Sequence, residues 1–446
     1  MDNRISSPVL SFTVTRQCNL DCIYCYFPNK GRKTITKDIV DSVIQDYFKY
    51  FVNDLKQVRF LISGGEPLLE KDLVFYIMER GAAFAERLGI GISYTLDTNG
   101  VLLSKDVVSR LLPYDVYVMS SIDGKAETHN AQRPFKGTGA GSHETVVGNV
   151  KYALTVLGSK NVAVRFTVLP SGVRSLFSNF QYFYDFGFRI IDFAPNYEVL
   201  WSDEDLQAYG EEIYKVARFV LENEVDNKLI ANYLRLVLNG DEHISAYGHP
   251  CGIIPTVDTN GDFYSCHRFI DNPEFFMGNY SDFCQILTSL RLLSKRYVDF
   301  WHHSGSYGRG CCPANNVCHG CSPFQTTSFF KKFIDIMTQE VHQALLEEKH
   351  KIRIHQTIDF EVGPGVSQNE YVLINKENGN YLLLNSTGCL IAQIILKNKD
   401  IGFGELIDDF SSHIANVDCV DKEILVQNVF DYLKALQKEG VVSLAV

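Results

Sequence analysis

Residues 8–27 read "PVLSFTVTRQCNLDCIYCYF": an alternating apolar stretch at 8–15 runs straight into cysteines at 18, 22 and 25. The alternation predicts a strand, and the C-x3-C-x2-C spacing puts three thiols on the loop that leaves it. Three is one short of a structural zinc site and odd for disulfides, so the group is three-quarters of a zinc site or holds something with an open position.

Strand-like segments recur at 57–63 (QVRFLIS), 91–97 (GISYTLD), 115–121 (DVYVMSS), 161–168 (NVAVRFTV) and 189–194 (RIIDFA). Amphipathic helices lie between them; over 37–53 the residues Ile39, Val40, Val43, Ile44, Tyr47, Phe48 and Phe51 form one stripe at helical period. Six strand–helix units imply a parallel sheet with right-handed crossovers, either an open doubly wound sheet or an incomplete barrel. Ligands of both sit at the C-terminal strand ends. The unusual residues fall there: the three cysteines, "SGGEP" (63–67), "DTNG" (97–100), "SSIDG" (120–124), "LPSG" (169–172) and "APNY" (194–197).

The 446 residues, 46% hydrophobic and 21% charged, suit an ordinary globular protein of two or three domains. A net charge of −11 argues against nucleic acid as partner. No run of 18 apolar residues and no basic n-region occurs, so the expectation is a cytoplasmic protein with no membrane partner. Twelve cysteines in a reducing compartment, clustered at 18–25, 251–266 and 311–321, point to metal or cluster ligation.

C-x3-C-x2-C with Tyr24 before the last cysteine, followed by "GGEP" at 64–67, resembles the radical S-adenosylmethionine (radical SAM) superfamily. The resemblance implies a partial (β/α)6 barrel of TIM type and a 4Fe-4S cluster on Cys18, Cys22 and Cys25. Its fourth iron binds S-adenosylmethionine, and one electron cleaves the sulfonium to a 5'-deoxyadenosyl radical that abstracts hydrogen. Cofactor contacts implied by the resemblance are Tyr24 against adenine, Gly64, Gly65 and Glu66 at the second strand end, and Ser121 and Asp123 for the carboxylate and ribose. Asn99 and Arg165 are further candidates.

Cys251 and Cys266 bracket Gly261 as C-x9-G-x4-C, and "GCCPANNVCHGC" (310–321) follows. Gly261 suits a hairpin turn that brings the two cysteines together. The pattern resembles the SPASM extension of peptide-modifying radical enzymes, implying one or two auxiliary 4Fe-4S clusters on Cys251, Cys266, Cys311, Cys312, Cys318 and Cys321. It departs from the family in that Cys311 and Cys312 are adjacent, Cys318 and Cys321 stand two residues apart, and no closing cysteine follows. A four-cysteine zinc ribbon is the alternative. Cys284 reads equally as a buried thiol or a ligand, and Cys389 and Cys419 as ordinary buried thiols. His267 in "CHRF" stands where sulfatase-maturing members carry an Asp base, which favours peptide cross-linking relatives. The catalytic base itself is not identifiable.

The stretch "YVLINKENGNYLLLNSTGCLIAQIIL" (371–396) with two more helices resembles a PqqD-like leader-peptide domain, a winged-helix-like α+β module. Residues 355–446 carry 6 Lys and Arg against 13 Asp and Glu, a surface that disfavours the DNA-binding version of such a fold. A free edge at 380–384 beside a helix at 422–438 offers strand addition, with Tyr381, Leu383, Val426 and Phe430 near the groove.

The expected organisation is a radical SAM barrel at 1–240, an auxiliary iron-sulfur region at 241–350 and a leader-binding domain at 351–446. The expected activity is an intramolecular thioether or carbon–carbon link in a ribosomally made precursor peptide, with electrons from a flavodoxin or ferredoxin. Alternatives are a radical epimerase, a sulfatase-maturase-like oxidase, or a metal-stapled peptide-binding or regulatory protein.

Overall fold

The computed structural model describes residues 8–27, 31–52, 55–196, 199–227, 230–231, 254–290, 292–293, 327–347, 352–364, 371–377, 381–413, 422–438 and 440–445. By backbone contacts the chain divides into two compact units. One comprises Met1–Glu212, Val225–Leu229 and Ser245–Phe333; the other comprises Ile213–Glu224, Ile230–Ile244 and Ile334–Val446.

In the first unit, β1 (Val9–Thr13), β2 (Gln57–Ser63), β3 (Gly91–Thr98), β4 (Val116–Ser121), β5 (Val162–Val168) and β6 (Ile191–Pro195) pair in parallel, each beside its neighbour in sequence. This is the partial barrel that the six units predict. Beyond β1 the same sheet continues through β7 (Thr256–Val257), β8 (Asp262–Tyr264) and β9 (Phe276–Asn279). β7 runs parallel to β1, and β7, β8 and β9 pair antiparallel. The hairpin expected at Gly261 is present, with that glycine at φ +85°, and it is part of the barrel's own sheet. Thus β1, which leads to the three cysteines, is an interior strand.

Helix α1 (Lys37–Tyr50) starts where the Thr36 hydroxyl accepts from Ile39 N, and buries Ile39, Val40, Val43, Ile44, Tyr47 and Phe48. Its Tyr47 ring lies 5.6 Å from Phe60 of β2, which meets Phe12 of β1 at 5.4 Å and Tyr94 of β3 at 6.1 Å. Each of these buried rings contributes about 2–3 kcal/mol of burial, so the helix-covered face is the core that fixes the sheet. Strand residues alternate in direction, and the other face carries Ser11, Thr13, Ser93, Thr95, Asp97 and Arg165. The same face also carries Leu61, Tyr117, Met119 and Ala163, so polar and apolar side chains mix there, opposite the helix-covered core.

Helices α2 (Lys71–Leu88), α3 (Lys105–Leu111), α4 (Ala126–Gln132), α5 (His143–Leu157) and α6 (Leu176–Phe186) lie between β2 and β6; of the expected helical pair at 203–239 the structure gives α7 (Asp203–Glu222), and the linker helix is α8 (Thr327–Glu347). The second unit has two three-stranded antiparallel sheets. One sets β10 (Arg353–Gln356) between β14 (Asp400–Gly402) and β15 (Val442–Ala445); the other is the meander β11 (Phe360–Pro364), β12 (Tyr371–Asn375), β13 (Tyr381–Leu384). Helices α9 (Ser386–Asn398), α10 (Phe403–Ser412) and α11 (Lys422–Lys438) complete it.

Among the described residues β13 is an edge strand of its sheet, and Leu383 on it is 59% exposed. Tyr381 pairs through its backbone with Ile374. Two groove assignments are corrected. Val426 and Phe430 are buried, with the Phe430 ring 5.7 Å from Phe403 and 5.3 Å from His342, so they belong to the unit's core. The helix packed on the meander is α9; α11 packs on β15. An amphipathic helix shows the same periodicity whichever sheet it covers.

Cys284 is exposed, which removes its reading as a buried thiol, and Cys389 is buried. Cys251, Cys311, Cys312, Cys318, Cys321 and Cys419 lie outside the described residues. Among the described residues no helix is long and apolar enough to cross a membrane.

Candidate active site

The loop after β1 presents Cys18 and Cys22 half-buried and Cys25 exposed, none of the three in a disulfide. Donors from three directions reach the first two sulfurs. Leu20 N lies 3.5 Å from Cys18 Sγ, Asn99 Nδ2 3.7 Å from the same sulfur, and Arg133 Nη1 3.9 Å from Cys22 Sγ. N–H groups and a guanidinium aimed at sulfur favour thiolates, the ligand form of cysteine. The loop is pinned by Asp21 N to Pro134 O at 3.0 Å, Ile23 N to Gln132 O at 3.1 Å and Cys25 N to Cys22 O at 3.2 Å. Among the described residues no three His, Cys, Asp or Glu side chains are grouped so as to hold a single metal ion. A donor set of three thiols with N–H groups on the sulfurs fits an iron-sulfur cluster held at three corners.

The "GGEP" turn backs this loop. Gly65 N donates to Thr15 O at 2.8 Å and Glu66 N to Gln17 O at 2.7 Å. Gly64 has φ +143°, and a Cβ there would stand 2.4 Å from Thr15 O; at Gly65 it would stand 2.1 Å from Gln17 O. The close approach made possible by both glycines is to the segment entering the cysteine loop. Glu66 is fully buried. Its Oε1 accepts from Leu68 N at 3.0 Å and Thr98 Oγ1 at 2.8 Å, and its Oε2 from Asn99 N at 2.7 Å. Burial pushes its carboxyl up to about 7 despite these donors. Through these bonds Glu66 joins the ends of β2 and β3. Asn99, whose amide it holds, donates to Asn19 Oδ1 at 2.7 Å and so braces the cysteine loop.

Asp123, after β4, is also turned inward. Its Oδ2 accepts from the Tyr24 hydroxyl and from Arg133 Nε at 2.9 Å, and its Oδ1 accepts from Thr167 N at 3.1 Å. The Gln132 carboxamide, with its nitrogen toward the carboxylate, adds a donor at 2.8 Å. Asp123 is 1% exposed and its oxygens accept from groups of the chain. Tyr24 is thereby fixed from the side opposite the loop, with the Arg133 guanidinium 5.3 Å from its ring centre. Burial holds its phenol well above the usual range.

Beneath lies His129, fully buried, whose Nδ1 accepts from Asp123 N at 3.2 Å. Nε2 then carries the hydrogen and donates to Ser142 Oγ at 2.9 Å, which donates to Arg133 O at 2.6 Å. Burial lowers His129 to about 4.

Ser121 ends β4 half-buried, in register with Arg165 of β5, whose guanidinium is 3.7 Å from Asp192 Oδ2. Near it the Cys266–Arg268 turn meets Tyr26. The His267 ring is 5.7 Å from the Tyr26 ring, Arg268 Cζ lies 4.5 Å over that ring, and Cys266 Sγ is 3.8 Å from His267 Nδ1. Burial and the fields of Arg268 and Arg165 lower His267 to about 3, so it is neutral at ordinary pH.

Sequence reasoning misses Arg16, Arg133 and His129. A basic residue just before Cys18, and "HNAQRP" (129–134) just after Asp123, are the available signals.

The Radical SAM superfamily model matches residues 12–171, the segment that contains the cysteine loop, its glycine backing and the Asp123 network. Those residues form a radical SAM domain. Members of that superfamily are enzymes. An uncharacterized protein of Methanocaldococcus jannaschii is 30% identical over 34% of this chain and 54% of its own length. The Fe-coproporphyrin III synthase of Methanosarcina barkeri is 29% identical over 38% of this chain and 39% of its own. A probable GTP 3',8-cyclase of Methanococcus aeolicus is 28% identical over 49% and 67% respectively. The chain thus spans about half the length, 54%, of the first of these relatives and 39% of the second. Among solved structures, "Native anSMEcpe with bound AdoMet" shares the fold of the radical SAM domain's chain at TM-score 0.62 and 16% identity, covering 76% of this chain and 100% of that one.

Proposed function

We propose that this protein is a radical S-adenosylmethionine enzyme that matures a ribosomally made peptide by installing an intramolecular thioether or carbon–carbon link. The observation that carries the reading is the loop at Cys18, Cys22 and Cys25: three cysteines outside any disulfide, with N–H donors on the first two sulfurs, at the C-terminal end of a parallel strand. A 4Fe-4S cluster there, with S-adenosylmethionine, supplies one-electron cleavage of the cofactor and hydrogen-atom abstraction from substrate.

The chain's part is to hold and orient. Leu20, Asn99 and Arg133 stabilise charge on sulfur. Asp123 and Arg133 fix Tyr24 at the cofactor's edge. Ser121, Arg165 and the β2 end at Gly64 and Gly65 are the candidates to contact S-adenosylmethionine.

Support for a peptide comes from the second unit. Its edge strand β13 with exposed Leu383 offers main-chain pairing to an extended leader, and the excess of acidic residues in 355–446 suits a basic leader. Cys266, with Cys251, Cys311, Cys312, Cys318 and Cys321, is assigned to one or two auxiliary clusters of SPASM type on sequence pattern.

The test is anaerobic reconstitution of the full chain with iron and sulfide, followed by S-adenosylmethionine and dithionite. Formation of 5'-deoxyadenosine is expected, and a full iron load without it rejects the reading. With the precursor peptide, loss of two hydrogens per product supports a cross-link. Uptake of solvent deuterium without mass loss in heavy water assigns the enzyme to epimerisation.

A further inference from the structure

Arg16 stands two residues before Cys18, is 6% exposed, and sends its guanidinium to two carboxylates 242 and 255 positions later. Nε donates to Asp258 Oδ1 at 3.3 Å and Oδ2 at 3.1 Å, and Nη2 also reaches Oδ2. Nη1 donates to Asp271 Oδ2 at 2.8 Å and Nη2 to Asp271 Oδ1 at 2.8 Å. The planar fork is thus engaged on both of its edges, the geometry in which Arg differs most from Lys.

The two partners have defined places. Asp258 is 1% exposed and opens the β7–β8 turn, its carbonyl accepting from Gly261 N at 2.9 Å. Asp271 follows the Cys266–Arg268 turn at φ +67°, in the left-handed region that Asp enters more readily than most non-glycine residues. The residues between the two aspartates include Cys266, His267 and Arg268, which face Tyr26 next to Cys25. One buried cation therefore stands between the segment that enters the first cysteine group and both ends of the segment that presents Cys266.

Burying a guanidinium with two carboxylates is a poor route to stability alone, since apolar side chains of like volume often serve as well. What an ion pair of this kind adds is direction. We propose that Arg16, through Asp258 and Asp271, is a positioning residue that registers the Cys18–Cys25 loop against the Cys266–Arg268 turn, so that the radical site and the surface facing it are held as one rigid piece. The inference rests on the radical SAM reading of the loop.

The test compares wild type, Arg16→Lys and Asp271→Asn as full chains reconstituted anaerobically. Hydrogen exchange is followed by mass spectrometry, and the EPR line shape of dithionite-reduced protein is recorded with S-adenosylmethionine. Arg16→Lys is expected to speed exchange at least tenfold in peptides covering 16–25 and 258–271, to leave β3 to β5 unchanged, and to alter the line shape. Asp271→Asn, which keeps Asp258, is expected to give the same pattern with a smaller effect. Exchange that is unchanged, or that rises uniformly through the barrel, or a line shape identical to wild type, overturns the proposal. Wild type that makes no 5'-deoxyadenosine defeats the proposed function instead, and the exchange measurement still decides the clamp.

Discussion

Tyr24 donates its phenol hydrogen to the carboxylate of Asp123, 99 residues later, so a side chain inside the cysteine motif is steadied by the end of the fourth strand. Arg133 holds the same oxygen from the other side at 2.9 Å. Tyr24→Phe leaves the carboxylate with its other donors and should cost about 1–2 kcal/mol. Asp123→Asn leaves Arg133 buried without its counter-charge and should cost about 3 kcal/mol. The double variant should cost less than the sum by roughly 1 kcal/mol, because both changes break one network. Urea unfolding of the four proteins reads all three values, and strict additivity contradicts the coupling.

Glu66 has a folded value of about 7 against an ordinary 4.5, so the native state binds this proton more tightly than the unfolded chain. Its contribution to stability is greatest below 4.5 and falls as pH rises toward 7. Glu66→Gln removes that slope. It also turns an amide nitrogen toward donors that now meet oxygen, at a cost of about 1–3 kcal/mol at pH 5. Denaturation midpoints across this range should show a lower, flatter curve for the variant.

His129 has the opposite sign. Its folded value of about 4 lies below the ordinary 6.5, so its neutral form stabilises the fold fully above 6.5, and that stability is lost as pH falls toward 4. The swing is about 3 kcal/mol. His129→Gln should reduce the loss of stability on acidification by a large part of that amount, read as the difference between the two pH curves. Parallel curves would contradict it.

Gly65→Ala places a methyl group 2.1 Å from a backbone carbonyl that has little room to yield. The variant should lose at least about 2 kcal/mol of stability and push the 15–17 segment away from β2. Iron bound per chain after reconstitution should fall below wild type, since Cys18 is the next residue. Iron analysis beside a thermal melt measures both.

What could be read from the sequence was what repeats locally. The six strands and the stripe of α1 follow from periods of 2.0 and 3.6; the observed strand limits fall within two residues of the expected ones, and α1 ends at Tyr50, three residues before the expected 53. Short strands such as β10, β14 and β15 span three or four residues, too few for a period to register. The cysteine loop was legible because its chemistry is carried by residue type. Asp123 and Glu66 were legible as special, but their bonds to the chain were not, because in sequence a carboxylate at a strand end looks the same whether it faces a ligand or the chain. Arg16 escaped notice because both of its partners lie more than 240 residues away, where no local pattern extends.

β1 has consequences for the order of assembly on the ribosome. Its β2 edge can close once residues 57–63 have emerged, but its other edge pairs with residues 256 and 257. For nearly two hundred residues of synthesis the strand leading to the oxygen-sensitive thiols is an open edge, free to pair with other chains. A chain released early, near residue 240, should keep the barrel's helix-covered core and still aggregate through β1. Soluble expression therefore depends on the hairpin that follows the barrel as much as on the barrel itself.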